Sequence, residues 1–141
     1  MDDVQRTAFR RTHYRIDAPG GELLLKVDEP NRKLADLLRN HRATCAANLT
    51  ACNPQGQLQD DVANRKAQEQ LRHELVAAGY FLLTGRNEDP LGLWPVEESF
   101  LVLAISRPAA RSIAAQCNQL AFLWMDATSS TPRLIETAAI D

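Results

Sequence analysis

Cysteine, glycine and aromatic residues are all scarce in this chain of 141 residues, and long apolar runs are absent. Three cysteines are too few for a disulfide-stabilised scaffold, and six glycines exclude a collagen-like chain. No apolar run approaches the ~20 residues that a transmembrane helix requires. A net charge of -2 argues against a nucleic-acid-binding protein. The remaining composition, 45% hydrophobic and 24% charged, is typical of a globular domain.

The length of the chain predicts a single domain over residues 1–141, with residues 1–5 and 138–141 expected to fray. The first six residues are acidic and polar and no apolar segment follows them, unlike a signal peptide. We therefore expect a cytoplasmic protein with no membrane segment. The sequence does not predict its oligomeric state.

The three cysteines also bear on metal binding. Cys45, Cys52 and Cys117 lack the short Cys/His spacing of a zinc site, and His13, His41 and His73 are scattered. We expect three reduced, buried thiols, no metal and no cofactor.

The helical and extended patterns predict an α+β fold in the order ββαβαββαββ, with about three helices on one mixed or antiparallel sheet. The predicted strands cover residues 8–16, 22–27, 44–52, 80–84, 98–105, 120–125 and 133–136. The predicted helices cover residues 31–38, about 60–78, and a segment that begins after Ser106. A polar loop is expected over residues 85–92.

Residues 49–56, Leu-Thr-Ala-Cys-Asn-Pro-Gln-Gly, join a strand of small residues to the most clearly amphipathic helix. Asn53 stands at this junction, where free amide groups at a helix N-terminus can bind an anion. Asp60 and Asp61 already place negative charge there, and no glycine-rich phosphate loop with a lysine is present. Asn53-Pro54 is also a plain turn signal. The junction is therefore either a site or a structural turn.

Three further polar groups stand at predicted element ends. Asn64, in the first turn of the long helix, can brace the Asn53 turn or contact a ligand. Glu97 and Glu98 are adjacent at the start of a strand, so one carboxylate faces inward and the other outward. Glu98 can accept hydrogen bonds from an arginine or act as a general base. Gln119 precedes a later strand.

The N-terminal segment carries the clearest positive charge. Residues 1–42 hold nine Lys or Arg against seven acids, whereas residues 80–141 hold four against seven. Arg10, Arg11, Arg15 and Tyr14 fall in the predicted strand over residues 8–16, where they could form a basic face for a nucleic-acid backbone or an acidic partner. The alternative is a solvated strand face.

Several motifs, taken in order, resemble the bacterial family known as domain of unknown function 3293, and the resemblance covers nearly the whole chain. They are Thr12-His13-Tyr14, Leu49-Thr50-Ala51-Cys52-Asn53-Pro54, Asn64, Glu97-Glu98-Ser99-Phe100, Ile105-Ser106 and Gln119-Leu120-Ala121-Phe122. The resemblance implies a small, single-domain, cytosolic protein without an established activity. In that family an aromatic residue is common where this chain has Cys52, so no stacking role carries over.

The resemblance also groups Asn53, Asn64, Glu98 and Gln119 as one polar pocket. The leading hypothesis is a binding or regulatory module that recognises a polar small molecule or a nucleotide-like group there.

Two other functions remain open from the sequence. One is a small hydrolase or transferase that uses Glu98 as general base. The other is a protein-interaction domain that uses Arg10, Arg11 and Arg15.

Overall fold

The computed structural model describes residues 1–139 and shows an α+β fold with four α-helices around a seven-stranded sheet over that range. The helices are α1 (Asp3–Arg11), α2 (Arg32–Asn40), α3 (Asp61–Ala77) and α4 (Arg107–Gln116). The strands are β1 (His13–Ala18), β2 (Gly21–Leu25), β3 (Cys45–Leu49), β4 (Leu82–Glu88), β5 (Glu97–Leu103), β6 (Ala121–Asp126) and β7 (Arg133–Glu136). A short 3₁₀ turn covers Pro54–Gly56.

Every strand pairs antiparallel with its neighbours, in the order β2-β1-β4-β5-β3-β6-β7. Side chains alternate between the two faces of such a sheet, so each face builds its own core. On one face the helices α3 and α4 supply residues such as Leu71 and Ala114. On the other face α2 supplies Leu34 and Leu38, which pack with Leu101.

The N-terminal segment differs from its prediction. The strand expected over residues 8–16 is wrong, because residues 3–11 form α1 and β1 begins only at His13. A capping box starts the helix: Gln5 N donates to Asp2 Oδ1 at 2.8 Å, and Asp2 N donates to Gln5 Oε1 at 2.9 Å. Residues 1–5, expected to fray, thus include the first turn of a capped helix. The terminal residues 138–141 were also expected to fray, and the last two lie outside the described residues.

The basic strand face that the sequence predicted over residues 8–16 therefore does not form. Arg10 and Arg11 lie on α1, where Arg10 pairs with Asp28 at 2.7 Å and Arg11 with Asp89 at 3.0 Å. Arg15 lies on β1 and pairs with Glu22 at 3.0 Å. All three guanidinium groups are occupied by carboxylates of the same chain.

The prediction of an α+β fold with an antiparallel sheet is confirmed. The predicted helix count and element order are incomplete, because they lack α1 at the start of the chain. The expected polar loop over residues 85–92 is also partly wrong, since β4 continues to Glu88. The polar residues at the end of β4 pair in register with β1 and β5. This pairing extends the strand into a segment whose composition predicted a loop. No helix within residues 1–139 is both long and apolar enough to cross a lipid bilayer.

Candidate functional site

A row of polar side chains crosses the face of the sheet that α1 and α2 cover. The register pairs Tyr14 on β1 with Asn87 on β4, and Asn87 with Glu97 on β5. Asn48 on β3 pairs with Leu101, which lies on the same face of β5 as Glu97 because side chains alternate along a strand. Asn48 Nδ2 donates to Asn87 Oδ1 at 3.0 Å. The polar row therefore continues across four adjacent strands.

A cavity of about 150 Å³ lies over this row, and α1 forms part of its wall. Its apolar lining includes Phe9 on α1, Trp94 in the loop before β5, and Leu120 before β6. Its polar lining is Gln5, Thr12, Tyr14, Asn48, Thr50, Asn53, Asn87, Asp89, Glu97 and Gln119. The cavity thus combines an apolar wall with a polar floor, which is the usual make-up of a small-molecule site.

Glu97 is the carboxylate of the cavity. Its Oε2 accepts hydrogen bonds from Asn53 Nδ2 at 2.7 Å and from Trp94 Nε1 at 3.1 Å. Burial raises the pKa of Glu97, and these two hydrogen bonds oppose the rise because they favour the ionised form. Its Oε1 accepts no hydrogen bond from the rest of the described chain, so the protein holds one oxygen of this carboxylate and not the other.

Asn53 connects Glu97 to the junction before α3. Its backbone is left-handed, with φ 47° and ψ 61°, a conformation that Asn tolerates better than most residues. Asn53 N donates to Asn64 Oδ1 at 2.8 Å, and Asn64 Nδ2 donates to Asn53 Oδ1 at 3.0 Å. Asn53 Oδ1 also accepts from Gln59 N at 2.9 Å. The amide of Asn64 therefore braces the Asn53 turn and stands behind the cavity wall.

The other two residues of the predicted pocket, Gln119 and Glu98, lie in different places. Gln119 lines the cavity, and its Nε2 donates to Cys52 O at 2.9 Å. Glu98 is exposed and its side chain points away from the cavity, because it follows Glu97 on β5. Its backbone carbonyl accepts from Thr50 Oγ1 at 2.7 Å. The structure thus brings Asn53, Asn64 and Gln119 to one region and places Glu97, instead of Glu98, beside them.

Asn48 carries an unpartnered atom at the floor of the cavity. The residue is only 4% exposed, and its Oδ1 has no hydrogen-bond partner while its Nδ2 is bound to Asn87. A buried acceptor without a partner costs free energy, about 1–3 kcal/mol for a neutral group. A hydrogen-bond donor that enters the cavity, from a water molecule or a ligand, would satisfy this atom.

The side chains of Tyr14 and Asp89 are both bound to α1, the helix that closes the cavity. Tyr14 Oη donates to Phe9 O at 2.8 Å, and burial raises the pKa of Tyr14. Arg11 donates two hydrogen bonds to Asp89, at 3.0 and 3.1 Å, and lowers the pKa of that carboxyl to about 2. Both contacts hold α1 over the polar row.

The chain also matches a known family by sequence. The family described as "Protein of unknown function (DUF3293)" matches residues 49–122, which is more than half of the chain. The chain belongs to this family. No curated protein and no solved structure matches the chain.

The DUF3293 match divides the site in two. Asn53, Asn64, Trp94, Glu97 and Gln119 fall inside the matched residues. The match begins one residue after Asn48, so Asn48, Tyr14 and the whole of α1 lie before it. The residues that bind the Glu97 carboxylate, Asn53 and Trp94, thus lie within the family match, whereas the helix α1 that covers the cavity lies outside it.

Sequence reasoning missed Glu97, Asn48 and Asn87 in this DUF3293 chain. The sequence could not show which of Glu97 and Glu98 faces the cavity. Alternation along a strand requires that one of two adjacent side chains faces inward, but it does not determine which one. Asn48 did carry a signal, since it interrupts the apolar run Ala46-Ala47-Asn48-Leu49. A polar residue in the middle of a buried strand has to find a partner.

The cysteines and the potential metal-binding side chains also bear on what the sequence predicted. All three cysteines are free thiols, but only Cys52 is buried, and Cys45 and Cys117 are partly exposed, so the expectation of three buried thiols is wrong for those two. Burial raises the pKa of Cys52, which keeps it protonated. Within residues 1–139 no group of three or more His, Cys, Asp or Glu side chains could hold a metal ion.

Proposed function

We propose that this DUF3293 chain is a ligand-binding protein, and that a small molecule with a polar group occupies the cavity between α1 and the sheet. The observation that carries the proposal is the buried, unpartnered Oδ1 of Asn48 at the floor of a cavity about 150 Å³ in volume. A cavity of that size holds a benzene-sized molecule. Apolar walls provide contact area, and the polar row orients the ligand.

Binding has more support here than catalysis. Asn53 and Asn64 use their amides on each other and on the surrounding turn, and Glu97 is fixed through one oxygen. A rigid, pre-formed site lowers the entropy lost on binding. The enzyme hypothesis that relied on Glu98 has less support, because that side chain is exposed outside the cavity.

A cavity-filling substitution tests the proposal. Ala8 lines the cavity from α1, so Ala8→Phe should occupy the space that a ligand needs. Val4 lies on the same helix, is 78% exposed and does not line the cavity, so Val4→Phe is the matched control. Nucleobases, nucleosides, amino acids and small amines are screened by amide chemical-shift changes in NMR spectra.

The expected result is a compound that binds the wild type and Val4→Phe but not Ala8→Phe. Leu120→Trp fills the same cavity from the opposite side and replaces Ala8→Phe if that variant unfolds. Binding that survives in the filled cavity, or a screen with no binder to the wild type, contradicts the proposal.

A further inference from the structure

We infer that the ligand is a small planar organic cation of the amidinium or guanidinium type, an inference that rests on the proposed binding function. The cavity offers it both hydrogen-bond acceptors and apolar or aromatic surface. The inference narrows the earlier expectation of a polar or nucleotide-like ligand, because it excludes the phosphate of a nucleotide from this cavity.

Two acceptor atoms of the polar row receive no hydrogen bond from the described residues, and Asn87 Nδ2 is a donor of the same row that meets no acceptor among them. Glu97 Oε1 accepts no hydrogen bond from another described residue, and Asn48 Oδ1 is buried without a partner. Asn48 Nδ2, the donor of the same amide, is already used by Asn87. A ligand with several N–H groups around one planar carbon carries the donors that acceptors of this kind require.

The charge of the lining favours a cation. None of the described residues that line the cavity is a Lys, Arg or His, whereas Glu97 and Asp89 are both acids. Asp89 is neutralised by Arg11, but Glu97 has only the neutral donors Asn53 and Trp94. A buried carboxylate without a cationic partner is stabilised by a positively charged ligand and repels an anionic one.

The aromatic lining suits the same ligand. Phe9 and Trp94 lie in the wall of the cavity, and Trp94 Nε1 is already bound to Glu97. The hydrogen bond fixes the indole next to the carboxylate. A planar cation that reaches Glu97 therefore also meets an aromatic ring, and the face of such a ring attracts a cation.

Three probes of nearly equal size and different charge test the ligand class. They are benzamidine, which is a cation at pH 7, benzamide, which is neutral, and benzoate, which is an anion. Isothermal titration or NMR titration gives the dissociation constant of each. We expect benzamidine to bind at least about tenfold more tightly than benzamide, and benzoate not to bind, because a charged hydrogen bond is about twice as strong as a neutral one.

Variants of the two adjacent glutamates identify the carboxylate. Glu97→Gln keeps the acceptor for Asn53 and Trp94 and removes the charge, so benzamidine should bind about tenfold more weakly. Glu98→Gln makes the same change on the exposed neighbour and should leave the affinity unaltered. Asn48→Ala, which removes the second acceptor, should also weaken benzamidine and serves if Glu97→Gln unfolds.

The outcomes separate this inference from the proposed function. If benzamide or benzoate binds as tightly as benzamidine, and Ala8→Phe abolishes that binding, the cavity binds ligands but the cation class is wrong. The class is also wrong if Glu97→Gln leaves benzamidine affinity unchanged. If none of the three probes binds, the class is again wrong, and the proposed function then fails only if the wider screen also finds nothing.

Discussion

The two faces of the sheet are built from different chemistry. The face under α3 and α4 is mainly apolar, with residues such as Leu71, Phe100 and Val102 in one continuous core and Gln68 as a buried polar residue of α3. The face under α1 and α2 is apolar at the β2 end but carries the polar row and the cavity beneath α1. None of the residues of α1 is fully buried, whereas α3 buries Leu71 and Leu75.

The difference shows how one small sheet can provide both stability and a site. On the α3 face, apolar side chains pack closely, and Gln68 Oε1 accepts a hydrogen bond from Ala51 N at 2.9 Å. On the other face, α1 is held largely by arginine–carboxylate pairs: Arg6 with Glu136 at 3.1 Å, Arg10 with Asp28 at 2.7 Å and Arg11 with Asp89 at 3.0 Å. The Arg6 and Arg10 pairs are partly exposed and pairs of that kind stabilise little, whereas the side chain of Asp89 is only 5% exposed. The stable face therefore supports a more weakly held one that contains the cavity.

The largest effect is expected in the apolar face. Leu71 is 1% exposed, so Leu71→Ala should lower the free energy of unfolding by about 3 kcal/mol, through lost burial and a new void. Phe9→Ala, which truncates a half-buried residue over the cavity, should cost about 1–2 kcal/mol. Urea denaturation measures both. An equal or larger cost for Phe9→Ala would remove the contrast between the faces.

A smaller, pH-dependent effect is expected at Glu97. Burial raises the pKa of Glu97 in the folded state, so this residue costs stability once its carboxyl ionises as the pH rises. Glu97→Gln should remove that cost. The stability of the variant relative to the wild type should then increase as the pH rises from about 4, the unfolded value, to 7. Denaturation at pH 4, 5.5 and 7 measures the difference, and a difference independent of pH contradicts it.

Asp89 should show the opposite pH dependence. Its pKa is lowered to about 2 by Arg11, so its stabilising contribution is complete above the unfolded value of about 4 and is lost as the pH falls toward 2. Asp89→Asn should therefore be less stable than the wild type at pH 7 and similar to it near pH 2. Amide hydrogen exchange of α1 should also speed up at pH 7. Unchanged exchange in α1 would show that this pair does not hold the helix.

The smallest effect is expected at an exposed ion pair away from both regions. Arg39 pairs with Asp36 at 3.3 Å on α2, and their side chains are 76% and 55% exposed. Arg39→Ala should change the free energy of unfolding by less than about 0.5 kcal/mol, since solvent screens such pairs. The same urea titration measures it. A loss above 1 kcal/mol would mean that surface ion pairs matter here as much as cavity contacts.

Local patterns predicted most of the fold. The helix expected at about 60–78 is α3 at Asp61–Ala77, because capping by Asp60 and a four-residue apolar spacing act within one segment. The strand expected at 133–136 matches β7. At α1 two local signals disagreed: aromatic and β-branched residues favoured a strand, while Asp2 and Gln5 formed a capping box. The capping box determined the structure.

The candidate site depends on register, which local patterns do not contain. Asn53 and Asn64 could be linked because they flank one turn. Tyr14, Asn87 and Glu97 come from three distant segments, and only the pairing of β1, β4 and β5 places them in one row. A shift of one residue in β5 would have turned Glu98 inward instead of Glu97.

The long sequence separation of the α1 contacts has a consequence for folding order. Arg6 and Glu136 are 130 residues apart, and Arg11 and Asp89 are 78 residues apart. Contacts between such distant segments close large loops and form slowly. During synthesis the first helix is made long before β7, so it has to wait for most of the chain before it can dock. We expect the cavity to be completed in the last stage of folding, after the α3 face has formed.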